Sequence, residues 1–458
     1  MKRYAVIMLI LLAAALVASA QEVLTPASFY ADADQSVREG LAASRVLQSK
    51  GQWSKAWNLL SLMDPENKNG YVLAEKIRLA LEGNVANGML ISFSFVDVPE
   101  GQNLEDLRLD PPEDQNPADF NPLDLSEELE KSGEAIPPVL SYELGNYLYQ
   151  VYKEYGEDWI QDSQTVQQKA VENYDRALAY DTYTSKSLSN QAELLTNLQQ
   201  YDGAEKVLRK AVAAYPEDDA FSVKLASTLN NMQRFDEVYP VVDGVIGKNA
   251  ADDTTYNAFI EGIKAGLNSE NEQKMDSYVD AMIERYPSEY VPFLIRHLIA
   301  VRMGQPEKAD AAADEVTEKF GADPNVVRSL LSTWLNAQDP ESGFGYLDRS
   351  IEKFAGNDKA LSGLYFYRAL MYAETAQVLD DLKRAFEDLD EAEKYFSAVY
   401  DSDNMVFETV KQLREEWNQI IKANEAEQEA PADATSASSE YEEAPAQEGT
   451  DATSGATN

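Results

Sequence analysis

One spacing constrains this chain more than any other property. In the stretch Asn197–Pro216, Ala204, Leu208 and Ala211 recur on one helical face, and Pro216 closes the run. Ala170 lies 34 residues before Ala204, with Tyr174 and Ala177 at the same offsets, and Val238 lies 34 after it, with Val242 and Val245. A second ladder, Glu284-Arg285-Tyr286-Pro287, Glu318-Lys319-Phe320-Gly321 and Glu352-Lys353-Phe354-Ala355, has the same 34-residue step. The two ladders join with three extra residues between Tyr215-Pro216 and Tyr286-Pro287. A repeat of this length is one supersecondary unit that cannot cover its own apolar face, so neighbours must stack.

Within each period a first helix precedes the helix just described. Leu144-Gly145 followed by Leu148 supplies one such core, and Ala192 with Leu195, then Ala226 with Leu229, supply the next two. This order of small and bulky residues with a terminal proline resembles the tetratricopeptide repeat. The resemblance covers about residues 36–421 apart from 85–138, and it is degenerate, since Val238 and His297 stand where small residues are usual. It implies an all-α fold, a right-handed superhelical solenoid of antiparallel helix pairs with one long irregular insertion. The small positions expected at helix crossings are Gly145, Ala170, Ala192, Ala204, Ala226, Ala309 and Ala369.

The same pattern divides the chain. Met1-Lys2-Arg3, an apolar run to Ala18 and Ala18-Ser19-Ala20 have the order of a secretory leader over residues 1–20. Residues 21–35 connect it to helices over 36–84, with Ser36 and Glu39 as a candidate capping box. Residues 85–138 carry seven prolines and many acids; Ile91–Val96 alternates like a short strand and Leu125–Lys131 reads as a helix. Such an insertion is expected to be a surface excursion or an arm across a groove. The array resumes over 139–400, a capping helix follows at 401–422, and residues 423–458 form an acidic tail expected to be disordered.

Composition narrows the function classes. The formal net charge is −41, and loss of Lys2 and Arg3 with the leader would deepen it. That field repels phosphate backbones and anionic headgroups, so nucleic acid and bare membrane are poor partners. With no cysteine there is no disulfide, thiolate metal site or lipidated amino-terminal Cys. The single histidine, His297, excludes paired-histidine zinc motifs and sits at an interhelix position, where packing is expected rather than catalysis. Acidic pairs such as Asp32 with Asp34 and Asp401 with Asp403 lack the glycine and terminal glutamate of a calcium loop. No cofactor, metal or enzymatic activity is expected.

The resemblance further implies that first helices line a concave face that binds an extended peptide or partner helix. The positions it assigns there are Asn146, Tyr149 and Gln150; Glu193, Thr196 and Asn197; and Ser227, Asn230 and Asn231. Their side chains can hydrogen-bond a peptide backbone without choosing a sequence. The carboxylate clamp of cochaperone members is absent, because Ser189 with Glu193 and Val223 with Ser227 occupy the matching places. The expected function is a non-catalytic protein-interaction scaffold in the bacterial envelope, periplasmic or secreted. The alternative is a solute- or lipid-binding accessory of an envelope transport system.

Overall fold

The computed structural model describes residues 25–112, 117–248, 251–376 and 379–429. The leader at 1–20, residues 21–24 and the tail from 430 onward lie outside the described residues. By its contacts the chain forms two compact units, residues 1–278 and 279–458.

The first unit opens with a 3-10 turn at Ala27–Tyr30, then α1 (Gln35–Ser49), α2 (Trp53–Met63) and α3 (Gly70–Gly83). Ser36 lies inside α1; Asp34 takes the cap position without a side-chain bond, so the capping box does not form. Next come β1 (Ala86–Gly88), β2 (Ser92–Ser94), α4 (Leu104–Leu109), β3 (Ala118–Asp119) and α5 (Pro122–Ser132). Paired helices follow: α6 (Pro138–Tyr155) with α7 (Ser163–Leu178), α8 (Ser185–Asn197) with α9 (Tyr201–Ala214), and α10 (Asp219–Asn231) with α11 (Phe235–Gly247). The last pair is α12 (Asp252–Asn268) with α13 (Glu272–Arg285), and the unit boundary falls within α13. First helices also touch the next first helix, α6 on α8 and α10 on α12, while the second helices α7, α9 and α11 pack on the following first helix. This is tetratricopeptide-like stacking.

The second unit continues the scheme with α14 (Val291–Arg302) and α15 (Pro306–Phe320), α16 (Pro324–Asn336) and α17 (Pro340–Lys353), and α18 (Asp358–Thr375) and α19 (Leu379–Val399). The final helix, α20 (Met405–Glu429), runs past the expected end at 422 and packs on α19. Val410 and Trp417 of α20 join Ala385, Leu389, Ala392 and Phe396 in one apolar cluster.

The seven small positions are all buried. Ala170, Ala204, Ala226 and Ala369 are fully covered, Ala192 and Ala309 nearly so. At Gly145 an added Cβ would lie 2.6 Å from the ring of Tyr174, so only glycine lets α7 approach α6 this closely. Gly262 has the same role in α12 against Tyr278, where a Cβ would lie 2.8 Å from the ring. The buried neighbours Leu208 and Leu229 each contribute about 1.5–3 kcal/mol.

Five of the helix pairs are joined by one recurring turn that the sequence pattern does not reveal. Gln199, Gln233, Glu270, Gly304 and Gln338 all have positive φ between first and second helix. The residue after each donates its amide back five residues: Gln200 to Leu195, Arg234 to Leu229, Asn271 to Gly266, Gln305 to Ala300 and Asp339 to Trp334, at 2.8–3.0 Å. Left-handed backbone costs a non-glycine residue roughly 1–2 kcal/mol, and the satisfied carbonyls offset it.

Parts of the insertion enter the core, while residues 99–103 and 109–112 stay exposed. Its three strands pair in the order β1-β2-β3, all antiparallel, and their aromatic residues enter the core beside α2. Trp57 stacks on Phe95 at 4.5 Å between centroids and meets Phe120 edge-on at 5.1 Å. Phe93 and Leu90 are buried, and Trp159 donates its indole N–H to the Met89 carbonyl at 2.7 Å.

Two substitutions test this packing. Ala204→Arg forces a long cation into a fully covered crossing, and urea unfolding should show a loss exceeding about 3 kcal/mol, the sum of overpacking and charge burial. Phe93→Ala should lower stability by about 3–5 kcal/mol in the same assay, the range for truncating a buried aromatic residue; a dispensable loop would show no loss.

Candidate functional site

Beneath the first helices of the first unit lies a buried ionic cluster. Glu75 on α3 is fully buried and receives Arg45 at 3.0 Å, Tyr30 Oη at 3.0 Å and the guanidinium of Arg78 one turn along. Arg78, itself 2 % exposed, also donates to Gln48 and to Glu82. A buried charge pair persists only when its remaining hydrogen bonds are satisfied, and here each partner has several. Burial by itself would raise the Glu75 carboxyl, but the charges and hydrogen bonds of Arg78 and Arg45 outweigh it and hold the group at about 2.

Glu143 on α6 has the opposite balance. It is 1 % exposed, and burial pushes its carboxyl up to about 7 against the Thr25 hydroxyl and the charge of Arg78. One oxygen accepts from Thr25 Oγ1, the other from Asn146 Nδ2 at 3.1 Å. Asn146 in turn accepts the Tyr174 hydroxyl at 3.0 Å.

Above this cluster opens a cavity of about 530 Å³. Its walls come from α3 (Arg78, Glu82), α4 (Glu105, Arg108), α6 (Glu143, Asn146, Tyr149, Gln150) and α8 (Lys186, Asn190). The insertion positions one wall: Arg108 reaches back from α4 to the carbonyls of Glu82 and Asn84 at 2.7 and 3.0 Å. A second cavity, about 200 Å³, lies one repeat along and is lined by Glu193, Thr196, Asn197, Lys224 and Ser227. Tyr149 bridges the two by donating to Glu193 at 2.9 Å, and Lys153 pairs with the same carboxylate at 3.3 Å. Burial, then the bonded Glu193 carboxylate, pushes the Tyr149 phenol well up, so it stays a donor at all physiological pH.

The positions assigned from the sequence therefore separate. Asn146, Tyr149 and Gln150 line the first cavity; Glu193, Thr196, Asn197 and Ser227 line the second. Asn197 also donates to the Tyr152 hydroxyl at 3.0 Å. Asn230 is turned inward, 9 % exposed, with Nδ2 bonded to the Glu261 carbonyl and carboxylate at 2.9 and 2.8 Å, so it does not face a groove. Asn231 is exposed at the end of α10 and lines neither cavity. The sequence pattern does not single out Arg78, Glu82, Arg108 or Asn190, because they come from elements far apart in the chain.

His297, in the second unit, is fully buried with its ring edge-on to Trp334 at 4.3 Å and Nδ1 3.1 Å from the Ala309 carbonyl. Burial lowers its pKa, and the backbone carbonyl and indole ring against it supply neither a nucleophile nor a carboxylate hydrogen bond. Among the described residues no group of three or more metal-ligating side chains converges, and no helix is long and apolar enough to cross a membrane.

The two carboxyls give opposite pH dependences. Glu75, depressed from 4.5 to about 2, contributes stability above pH 4.5 that is lost as pH falls toward 2. Glu143, raised from 4.5 to about 7, contributes stability below pH 4.5 that is lost as pH rises through 7. Urea unfolding between pH 4.5 and 8 should thus show a decline of roughly 3 kcal/mol from this group, and Glu143→Gln should flatten that part of the profile.

No family model and no curated protein matches this chain. Solved structures similar to it include a tetratricopeptide repeat protein from Parabacteroides merdae ATCC 43184, 14 % identical, covering 77 % of this chain and 100 % of that one with a TM-score of 0.33. The type IV pilus biogenesis factor PilW is 16 % identical over 48 % of this chain and 98 % of its own, with a TM-score of 0.32. The Naa15/Naa10 complex bound to HypK-THB matches at 11 % identity over 81 % of this chain and 53 % of that one, with a TM-score of 0.46.

Proposed function

We propose that this protein is a non-catalytic interaction scaffold that holds an extended segment of a partner protein against the first helices of its first unit. The observation that carries the reading is the pair of neighbouring cavities on α6, α8 and α10, joined by the Tyr149–Glu193 bond and lined by amide, hydroxyl and charged groups. Such groups match the alternating donors and acceptors of a peptide backbone. The charged and amide groups of the larger cavity weigh against an acyl chain as its occupant. The leader-like residues 1–20 support export, with the periplasm or the exterior as the place of action.

Gln150→Trp and Ser227→Trp put bulky side chains at half-buried positions, one in each cavity. In affinity capture from envelope extract, wild-type protein should retain a partner that both variants lose, with all three melting within about 2 °C of one another, the scatter of surface substitutions. Retention of the same partners by both variants would place binding elsewhere.

A further inference from the structure

The larger cavity has an uneven supply of hydrogen-bonding groups, and this inference rests on the scaffold reading above. Its two guanidinium groups are already engaged. Arg78 donates through Nε to Glu75 at 3.2 Å and through its other nitrogens to Glu75, Gln48 and Glu82. Arg108 donates to Asn84 O at 3.0 Å, Glu82 O at 2.7 Å and Glu105 Oε1 at 2.6 Å. Lys186, exposed on the rim, has an interaction of its own.

The acceptors are less used. Asn190 is 8 % exposed and lines the cavity; its Nδ2 donates to Tyr174 at 3.4 Å, while its Oδ1 accepts nothing among the described residues. Glu82 takes Arg78 on Oε2, and its Oε1 accepts no hydrogen bond among the described residues, with 38 % of the side chain exposed. An amide oxygen that lines a cavity without a protein donor is open to a ligand N–H.

We infer that this cavity takes a primary ammonium carried by the bound peptide, whose N–H groups meet Asn190 Oδ1 and Glu82 Oε1. An ammonium offers three donors and no acceptor, which complements a wall whose cations are engaged and whose acceptors are open. The chain's net charge of −41 draws such a group in from solution. The ammonium belongs either to a lysine side chain or to the amino terminus of the peptide.

Isothermal titration of the full chain with four amidated pentapeptides, Gly-Ala-X-Ala-Gly, separates these sources. Three are acetylated with X as lysine, norleucine or glutamate, and the fourth has a free amino terminus with X as norleucine. At about 0.15 M salt, where exposed charges more than ~8 Å apart are largely screened, one ammonium-bearing peptide should bind roughly tenfold more tightly than acetylated norleucine, the worth of one charge-assisted hydrogen bond. Glu82→Gln should remove that preference and leave the norleucine peptide unchanged, while Glu408→Gln, on exposed surface of α20, should alter neither. Lysine preference identifies a side chain as the source, and preference for the free terminus identifies the peptide end. Equal affinities, a preference for glutamate, or no binding by any of the four overturns the ammonium assignment; the scaffold reading is decided separately by the cavity-filling variants.

Discussion

A helix with one apolar stripe is stable in water only when that stripe is covered, and in the repeat array of this protein the cover is another helix at close range. At Gly145 the distance is set by the Tyr174 ring, which leaves no room for a Cβ, and at Ala170, Ala204 and Ala226 the methyl groups are wholly enclosed. Small residues at these crossings bring backbones together, and the bulky residues one turn away fill the space beside them. Stability is therefore distributed along each stack, pair on pair, with the helix ends left to form surfaces.

The buried ions of the first unit depend on the same close approach. Glu75 and Arg78 share one helix, yet Arg45 and Gln48 arrive from α1 and Tyr30 from the turn before it. Two cations bonded to it keep Glu75 ionised, whereas for Glu143 burial outweighs the Thr25 hydrogen bond and the charge of Arg78. Two carboxylates on packed helices are thus driven in opposite directions by their neighbours. Charge pairs taken out of water specify geometry more than they add net stability, and this cluster fixes the N-terminal segment, α1, α3 and α6 in one arrangement beneath the cavity.

The insertion shows how an irregular segment can become part of a repeat array. Its strands are only two or three residues long, so their ladder is weak. What holds them is the aromatic group Trp57, Phe93, Phe95 and Phe120, together with Arg108 anchored on the carbonyls at the end of α3. The result is one wall of the larger cavity.

Much of the fold was legible because a 34-residue period of small and bulky residues is compatible with little besides stacked helix pairs. The same register singles out Asn146, Tyr149 and Gln150 on α6 and Glu193, Thr196 and Asn197 on α8, which line the two cavities. The register failed at Asn230, where an amide side chain found the Glu261 carbonyl and carboxylate instead of solvent. The left-handed turns at Gln199, Gln233, Glu270 and Gln338 were hidden because glycine, the usual sign of positive φ, is absent there. By itself the sequence determined what repeats: helix length, pairing and the face each helix buries, because these are set by local periodicity. Only the tertiary structure decided what converges once: the Glu75 cluster, the aromatic anchor of the insertion and the cavity at Asn190, because each joins residues far apart in the chain that share no spacing rule.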